Sequence, residues 1–196
     1  MSPPAGPPRE SETVRWDGMG YKYDEHTILE QALLEALDNG LSQLTFGSLA
    51  RRMGISDRSI VYYFPTKDHL LLSVVTALGE RLMPLLAQAF GEDPLPPDEL
   101  FGRAWKVLAT PRADPVIGLF FEVVGLGAAG VAPYADLGGA VLTAWLDWVE
   151  PFVDAPATER RETAIALVGA LDGMLLVRAM LGARKANQAA AHIRFG

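Results

Sequence analysis

Apolar residues recur along this chain with the spacing of an amphipathic helix, beginning after Asp24. In the first such run they are Ile28, Leu29, Ala32, Leu33, Ala36 and Leu37. This spacing places them on one helix face, and Asn39 and Gly40 end the run because both tolerate a left-handed cap. Similar runs predict helices over 46–53, 56–63, 67–90, 98–109, 116–129, 133–152 and 157–181. Because no strict alternation of apolar and polar residues persists, the pattern predicts an all-α fold.

The first 23 residues differ from everything that follows. Five of the first eight residues are proline or glycine, and no hydrophobic period appears there. Such a segment buries too little apolar surface to offset the entropy of ordering it. We therefore expect a flexible N-terminal arm over residues 1–23.

Composition excludes several classes of protein. The 196 residues contain no cysteine, which excludes disulfides, thiolate zinc sites and thiol catalysis. The three histidines lie far apart, and no nucleophile stands near a base, so we expect no metal, no cofactor and no enzyme activity. The longest stretch without a charged residue, 123–135, is too short for a membrane span of about 20 residues. With no apolar signal core at the N-terminus, a cytoplasmic protein without a membrane partner is expected.

Residues 45–67 carry the strongest local signal. Ala50 is small enough for a second helix to cross close above it. Gly54 permits the positive φ of a tight inter-helix turn, and Ile60 follows six residues later, where the second helix faces back into the pair. This spacing is typical of a helix-turn-helix, although other helical hairpins also use glycine in the turn.

Charge is concentrated in the same segment. The chain has a net charge of −7, yet residues 45–67 hold Arg51, Arg52, Arg58 and Lys67 against Asp57 alone. Arg58 and Lys67 also begin helices, where the helix dipole disfavours cations. These side chains either point into water or meet an external anion such as a DNA phosphate.

The segments 49–56 (LARRMGIS) and 62–71 (YYFPTKDHLL) resemble the DNA-binding domain of the tetracycline-repressor (TetR) family of transcriptional regulators. The resemblance implies a three-helix DNA-binding domain over residues 24–70. It further implies a helical domain for effector binding and dimerisation over 71–196, with about nine helices in total. Partners would be a double-stranded DNA operator and an unidentified small-molecule effector.

The resemblance also assigns DNA contacts. Residues expected to face base edges in the major groove are Ser56, Asp57, Arg58 and Ser59. Residues expected to contact phosphates are Thr45, Tyr62, Tyr63 and Lys67. Arg58 is the candidate for a bidentate contact with guanine, whereas Asp57 either accepts a hydrogen bond from a cytosine amino group or caps its helix.

Aromatic side chains of the C-terminal region are candidates for a ligand pocket. The residues proposed for it are Trp105, Phe121, Glu122, Trp145, Trp148, Met174 and Arg178. On the pattern alone the aromatic residues could equally fill an ordinary core. Glu122 either contacts a polar group of a ligand, pairs with an arginine or points to water.

The last two long predicted helices carry more apolar surface than one bundle needs. The residues expected at a dimer interface are Leu137, Val141, Phe152, Leu167, Leu171 and Leu175. Two copies joined there by a four-helix interface would bind a palindromic operator, so a homodimeric, ligand-responsive repressor is the leading hypothesis. The alternative is a helical small-molecule-binding or protein-interaction module that binds no DNA.

Overall fold

The computed structural model describes residues 23–195 and is built from helices. They are α1 (Glu25–Asn39), α2 (Phe46–Met53), α3 (Asp57–Tyr63), α4 (Lys67–Phe90), α5 (Pro97–Leu108), α6 (Asp114–Ala128), α7 (Tyr134–Val149), α8 (Arg160–Leu181) and α9 (Ala183–Ala190), with a 3₁₀ turn at Glu150–Phe152. Across this range the β-type pairing amounts to one isolated bridge between Leu95 and Val153. The all-α prediction is confirmed. The expected flexible arm lies outside the described residues, except for Tyr23.

Side-chain caps explain why the first helices begin where they do. The Asp24 carboxylate accepts a hydrogen bond from the Thr27 backbone N–H at 2.7 Å and so begins α1. Thr45 and Ser48 form a reciprocal capping box at the start of α2, at 2.9 and 3.0 Å. Each cap satisfies backbone N–H groups that have no partner within the helix.

The C-terminal helices differ in detail from the prediction. α5 begins one residue before Asp98, which does not cap it; the Asp98 carboxylate accepts from the Phe195 N–H at 3.2 Å. A further short helix, α9, follows α8 after Gly182, whose φ of 88° turns the chain. The apolar pattern gave no sign of α9 because most of its residues are alanine or polar.

Two hydrophobic cores organise the chain. The N-terminal core contains the buried residues of α1, α2, α3 and the first half of α4, and also four residues of α6 and α7: Leu119, Val123, Tyr134 and Leu137. The C-terminal core contains the buried residues of α5, α8 and α9 together with Leu86 and Phe90 at the end of α4. Because α4 runs through the predicted domain boundary at residues 70–71 and continues through Pro84, it joins the two cores directly.

Two of the helices, α4 and α8, are long and apolar enough to cross a membrane by length and composition alone. Neither helix is a charge-free stretch, because each contains charged residues. Both helices contribute buried side chains to the cores described above, as core helices of globular proteins do.

Candidate functional site

The predicted helix-turn-helix is formed by α2 and α3. Gly54 between them has φ 65° and ψ 36°, a left-handed conformation that a side chain disfavours. Ala50 and Ile60 are both buried where the two helices meet, and the Ile55 N–H donates to the Ala50 carbonyl oxygen at 3.1 Å. Phe64 is completely buried at the end of α3, so it belongs to the core. The turn therefore holds α3 rigidly against α1 and α2.

The N-terminal half of α3 points away from this core. Ser56, Asp57 and Arg58 are exposed, while Ser59 is half-buried with its hydroxyl 3.0 Å from that of Ser56. Asp57 makes no capping hydrogen bond, so the structure does not support the capping alternative. An exposed row of polar side chains at the start of a short helix has the form that major-groove recognition requires.

Three cations surround this row. Arg51 near the end of α2, Arg58 in α3 and Lys67 at the start of α4 are exposed, and none forms a hydrogen bond or ion pair with any part of the chain between residues 23 and 195. We call these three residues the cationic rim. It belongs to a chain whose net charge is −7, so this local excess of positive charge is a feature of the site and not of the whole molecule.

Arg52, counted with these cations from the sequence, has a structural role. Its guanidinium donates to Glu35 at 3.0 Å and to Asp38 at 2.8 Å, both on α1. Hydrogen bonds to Asp38 and Glu35 raise the pKa of Arg52 above its ordinary value. Arg52 therefore neutralises the buried Glu35 and ties α2 to α1, which the sequence did not indicate.

The structure changes the roles predicted for two phosphate-contact candidates. The Tyr63 hydroxyl donates to the Tyr23 carbonyl oxygen at 3.3 Å, so in this structure it points back to the start of α1 and not outward. Its ring packs edge-on against Tyr62, whose side chain is 63% exposed. The Thr45 hydroxyl caps α2. Tyr62 and Lys67 remain well placed for phosphate, whereas the predicted contact of Tyr63 would require its present bond to break.

Comparison with known proteins gives one family match. Residues 28–74 match the family model of bacterial regulatory proteins of the tetR family. This segment holds α1, α2, α3 and the part of α4 that completes the N-terminal core. No curated protein matches the chain.

Solved structures share the fold of nearly the whole chain. A transcriptional regulator from Rhodococcus sp. Rha1 is 18% identical, with a TM-score of 0.65 over 83% of this chain and 89% of that one. A TetR transcriptional regulator from Legionella pneumophila is 16% identical, with a TM-score of 0.62 over 87% and 95%. A TetR-like regulator from Rhodococcus sp. RHA1 is 22% identical, with a TM-score of 0.52 over 85% and 90%.

An exposed recognition helix held by a glycine turn defines this protein as a DNA-binding transcriptional regulator of the helix-turn-helix class. Residues 28–74 match the tetR family model, which confirms the resemblance of residues 49–56 and 62–71 to the DNA-binding domain of that family. The structural matches confirm that the remainder of the chain has the corresponding helical fold.

An apolar cavity of about 90 Å³ lies between α4, α5, α6, α7 and α8. Its walls include Leu78, Leu82, Ile117, Phe120, Trp145 and Leu171. Of the seven pocket residues proposed from the sequence, Trp145 is the one that lines this cavity. The wall formed by α4 was missed, although its positions 75, 78, 82 and 86 have the spacing of one helix face.

The other pocket candidates do not line this cavity. Phe121 and Trp148 pack against the C-terminal core and Met174 is buried within it. The Trp105 indole N–H donates to Asn187 at 3.1 Å. Arg178 makes a two-fold contact with Asp114, at 2.8 and 2.9 Å, beside a separate cavity of about 340 Å³.

Glu122 is the most informative of these corrections. Its carboxylate accepts hydrogen bonds from the backbone N–H groups of Leu41 and Ser42, each at 2.7 Å, in the turn between α1 and α2. Burial alone raises the pKa of Glu122, but the hydrogen bonds from Ser42 and Leu41 outweigh it, so the pKa lies below its ordinary value. None of the three alternatives drawn from the sequence described this contact, which joins α6 to the DNA-binding domain.

The dimer residues proposed from the sequence are also corrected. Leu137, Leu167, Leu171 and Leu175 are buried inside the chain itself, while Val141 and Phe152 are half-buried against the cores. Apolar residues of α8 that do reach the surface are Ile165, Leu176, Met180 and Leu181, which are 48–70% exposed, with the exposed Gly169 and Gly173 between them. The predicted residues of α8 lie on the face that packs inside the chain, because periodicity does not tell which of two apolar stripes meets the core.

Proposed function

We propose that this protein is a cytoplasmic, non-enzymatic homodimer that represses transcription at a palindromic operator and releases it when a small molecule binds. The observation that supports this proposal best is the cationic rim beside the exposed start of α3. Exposed cations without a partner among residues 23–195 supply the phosphate contacts that dominate DNA affinity, while polar side chains of α3 read base edges. Arg58, at the second position of α3, would make the bidentate contact with guanine.

The exposed face of α8 is our candidate dimer interface. Ile165, Leu176 and Met180 expose large apolar side chains, and Gly169 and Gly173 allow the backbones of two helices to approach closely. Contiguous apolar surface of this kind is typical of an interface between protein chains. With α7 beside it, pairing of this face by a two-fold axis would give the four-helix arrangement and two recognition helices for two half-sites.

Glu122 offers a physical route from ligand to DNA. The cavity wall includes Phe120 and Val123, which stand on either side of Glu122 in α6. A ligand that moves this part of α6 therefore also moves the carboxylate that holds the turn at Leu41 and Ser42. Suppose that the recognition helix has two positions, one that fits DNA and one that does not. A ligand shifts the protein from one to the other only if it binds the two conformations with different affinity.

Selection from random DNA duplexes tests the proposal. The wild-type protein is expected to recover an inverted repeat whose half-sites lie about one helical turn, or a multiple of it, apart. Arg58→Ala should lose about 1–3 kcal/mol of discrimination at one base pair in each half-site, measured by fluorescence anisotropy. Arg184→Ala, which removes an exposed arginine of α9, serves as the matched control and should bind as the wild type does. Recovery of no preferred sequence would contradict the proposal.

A further inference from the structure

The apolar cavity contains one charged group among the described residues that line it. This is Asp172 of α8, which stands between the buried side chains of Leu171 and Leu175. Its carboxylate makes no hydrogen bond and no ion pair with residues 23–195. A largely buried carboxylate without a partner is costly, and folded chains normally pair such a group or leave it outside the core.

Aromatic rings stand in the same walls. Phe120 of α6, Trp145 of α7 and Phe90 of α4 all line the cavity, and the other wall residues, apart from Asp172 and Gly79, are aliphatic. Aromatic faces attract a cation because their π-electrons present negative charge, most strongly in tryptophan. A cavity that combines such faces with one carboxylate is complementary to a cation that carries apolar groups.

We propose that the effector of this protein is an organic cation, an amine or quaternary ammonium with a hydrophobic body, whose positive charge pairs with Asp172 while its body contacts Trp145 and Phe120. This inference rests on the proposed ligand-responsive function and adds the chemical class of the ligand. A neutral or anionic effector would leave the carboxylate without a partner, whereas a cation supplies the partner that residues 23–195 do not.

The titration of Asp172 agrees with this geometry. Burial raises its pKa to about 6, with no contribution from a neighbouring charge. The carboxylate is therefore ionised at neutral pH, at a cost that a bound cation would offset. Asp172→Asn removes that cost while preserving the shape of the side chain, so the variant should fold and melt at a temperature no lower than the wild type does.

A matched pair of compounds tests the inference. Phenyltrimethylammonium and tert-butylbenzene have the same shape and differ in whether nitrogen or carbon holds the three methyl groups. Binding is followed by intrinsic tryptophan fluorescence, to which Trp145 contributes, and by calorimetry. The wild-type protein is expected to bind the cation at least about tenfold more tightly than the neutral compound, a difference of about 1.4 kcal/mol.

The variants make the result specific to Asp172. Asp172→Asn should lower the affinity for phenyltrimethylammonium about tenfold and leave that for tert-butylbenzene unchanged. Glu162→Gln removes the same charge from an exposed position of the same helix and should change neither affinity. Equal binding of the two compounds, full retention of cation binding by Asp172→Asn, or no binding of the cation would each overturn the inference.

DNA binding without any compound is measured on the same preparations. This measurement distinguishes a failure of the inference about the effector from a failure of the proposed function. If the protein binds its selected duplex but not the cation, the inference about the effector fails and DNA recognition stands. If it binds no duplex, the proposed function fails whatever the compounds do. Release of the duplex by phenyltrimethylammonium from the wild type, but not from Asp172→Asn, would support both.

Discussion

The two cores of this protein are packed differently, and the difference matches their proposed tasks. In the N-terminal core the side chains of Ile28, Leu33, Ile60 and Phe64 are completely buried around a recognition helix of seven residues. In the C-terminal part, the helices α4 to α8 leave a cavity of about 90 Å³ between them. Close packing fixes one geometry, whereas a cavity leaves space for a ligand to occupy.

Two exposed arginines of the helix-turn-helix differ in their pairing from three arginines of the C-terminal part. In the C-terminal part, Arg103, Arg161 and Arg178 pair with carboxylates of the chain. In the N-terminal domain, Arg51 and Arg58 point outward without such partners among residues 23–195. The paired arginines stabilise the bundle, while the unpaired ones remain available for an external polyanion. The charge of an arginine is the same in both groups, so only the presence or absence of a carboxylate partner distinguishes them.

Removing a side chain from the closely packed core should have the largest effect. Phe64→Ala is expected to cost about 3–5 kcal/mol of folding stability, because the ring is fully enclosed. Phe120→Ala, at the half-buried wall of the cavity, should cost clearly less. Urea denaturation followed by circular dichroism measures both. Equal losses would show that the two regions are not packed differently.

A charge on the exposed face of α8 should have the next largest effect. Leu176→Glu is expected to raise the dissociation constant of the dimer about 100-fold or more, roughly 3 kcal/mol, because it buries a carboxylate in the apolar interface. Leu72→Glu is the matched control, since both leucines are 48% exposed and Leu72 lies on α4. Analytical ultracentrifugation gives the mass of each variant. A Leu176→Glu protein that stays as dimeric as the control would place the interface elsewhere.

The contact between the two regions should contribute less. Glu122→Gln is expected to lose about 1–3 kcal/mol of stability, because the amide nitrogen cannot accept from the N–H groups of Leu41 and Ser42. The wild-type contribution has a defined pH dependence. Since the pKa of Glu122 is lowered in the folded protein, the stabilisation is present above the ordinary value of 4.5 and is lost as the pH falls through the folded pKa.

Thermal melting of both proteins between pH 7 and pH 3 checks this. The difference between wild type and Glu122→Gln should shrink as the pH falls below about 4.5. A difference that is constant with pH would mean that the carboxylate charge does not stabilise the contact.

Much of the N-terminal domain could be predicted because its signals are local. Thr45, Gly54 and the break at Pro65-Thr66 act on neighbouring residues, and the structure places α2, α3 and α4 at the predicted positions. The short helix α9 lacks such signals, since it has neither a side-chain cap nor an apolar run.

The site was harder to predict because its decisive contacts are distant in sequence. Glu122 binds a turn 80 residues away, and Arg52 meets carboxylates on α1. Nothing in the local pattern around either residue indicates these partners. The same holds for the cavity, whose walls come from five helices. It also holds for α8, because the sequence does not show which of its two apolar stripes packs against the core.

The neighbouring residues Arg51 and Arg52 allow the most direct test of the central statement, that the cationic rim contacts DNA. The affinity of wild type, Arg51→Ala and Arg52→Ala for the selected duplex is measured as a function of salt concentration. Each phosphate contact contributes about 0.9 to the slope of log affinity against log salt. Arg51→Ala should lower the slope by about 0.9 per protomer, whereas Arg52→Ala should lower the melting temperature and leave the slope unchanged. Equal slopes for Arg51→Ala and the wild type would contradict the account.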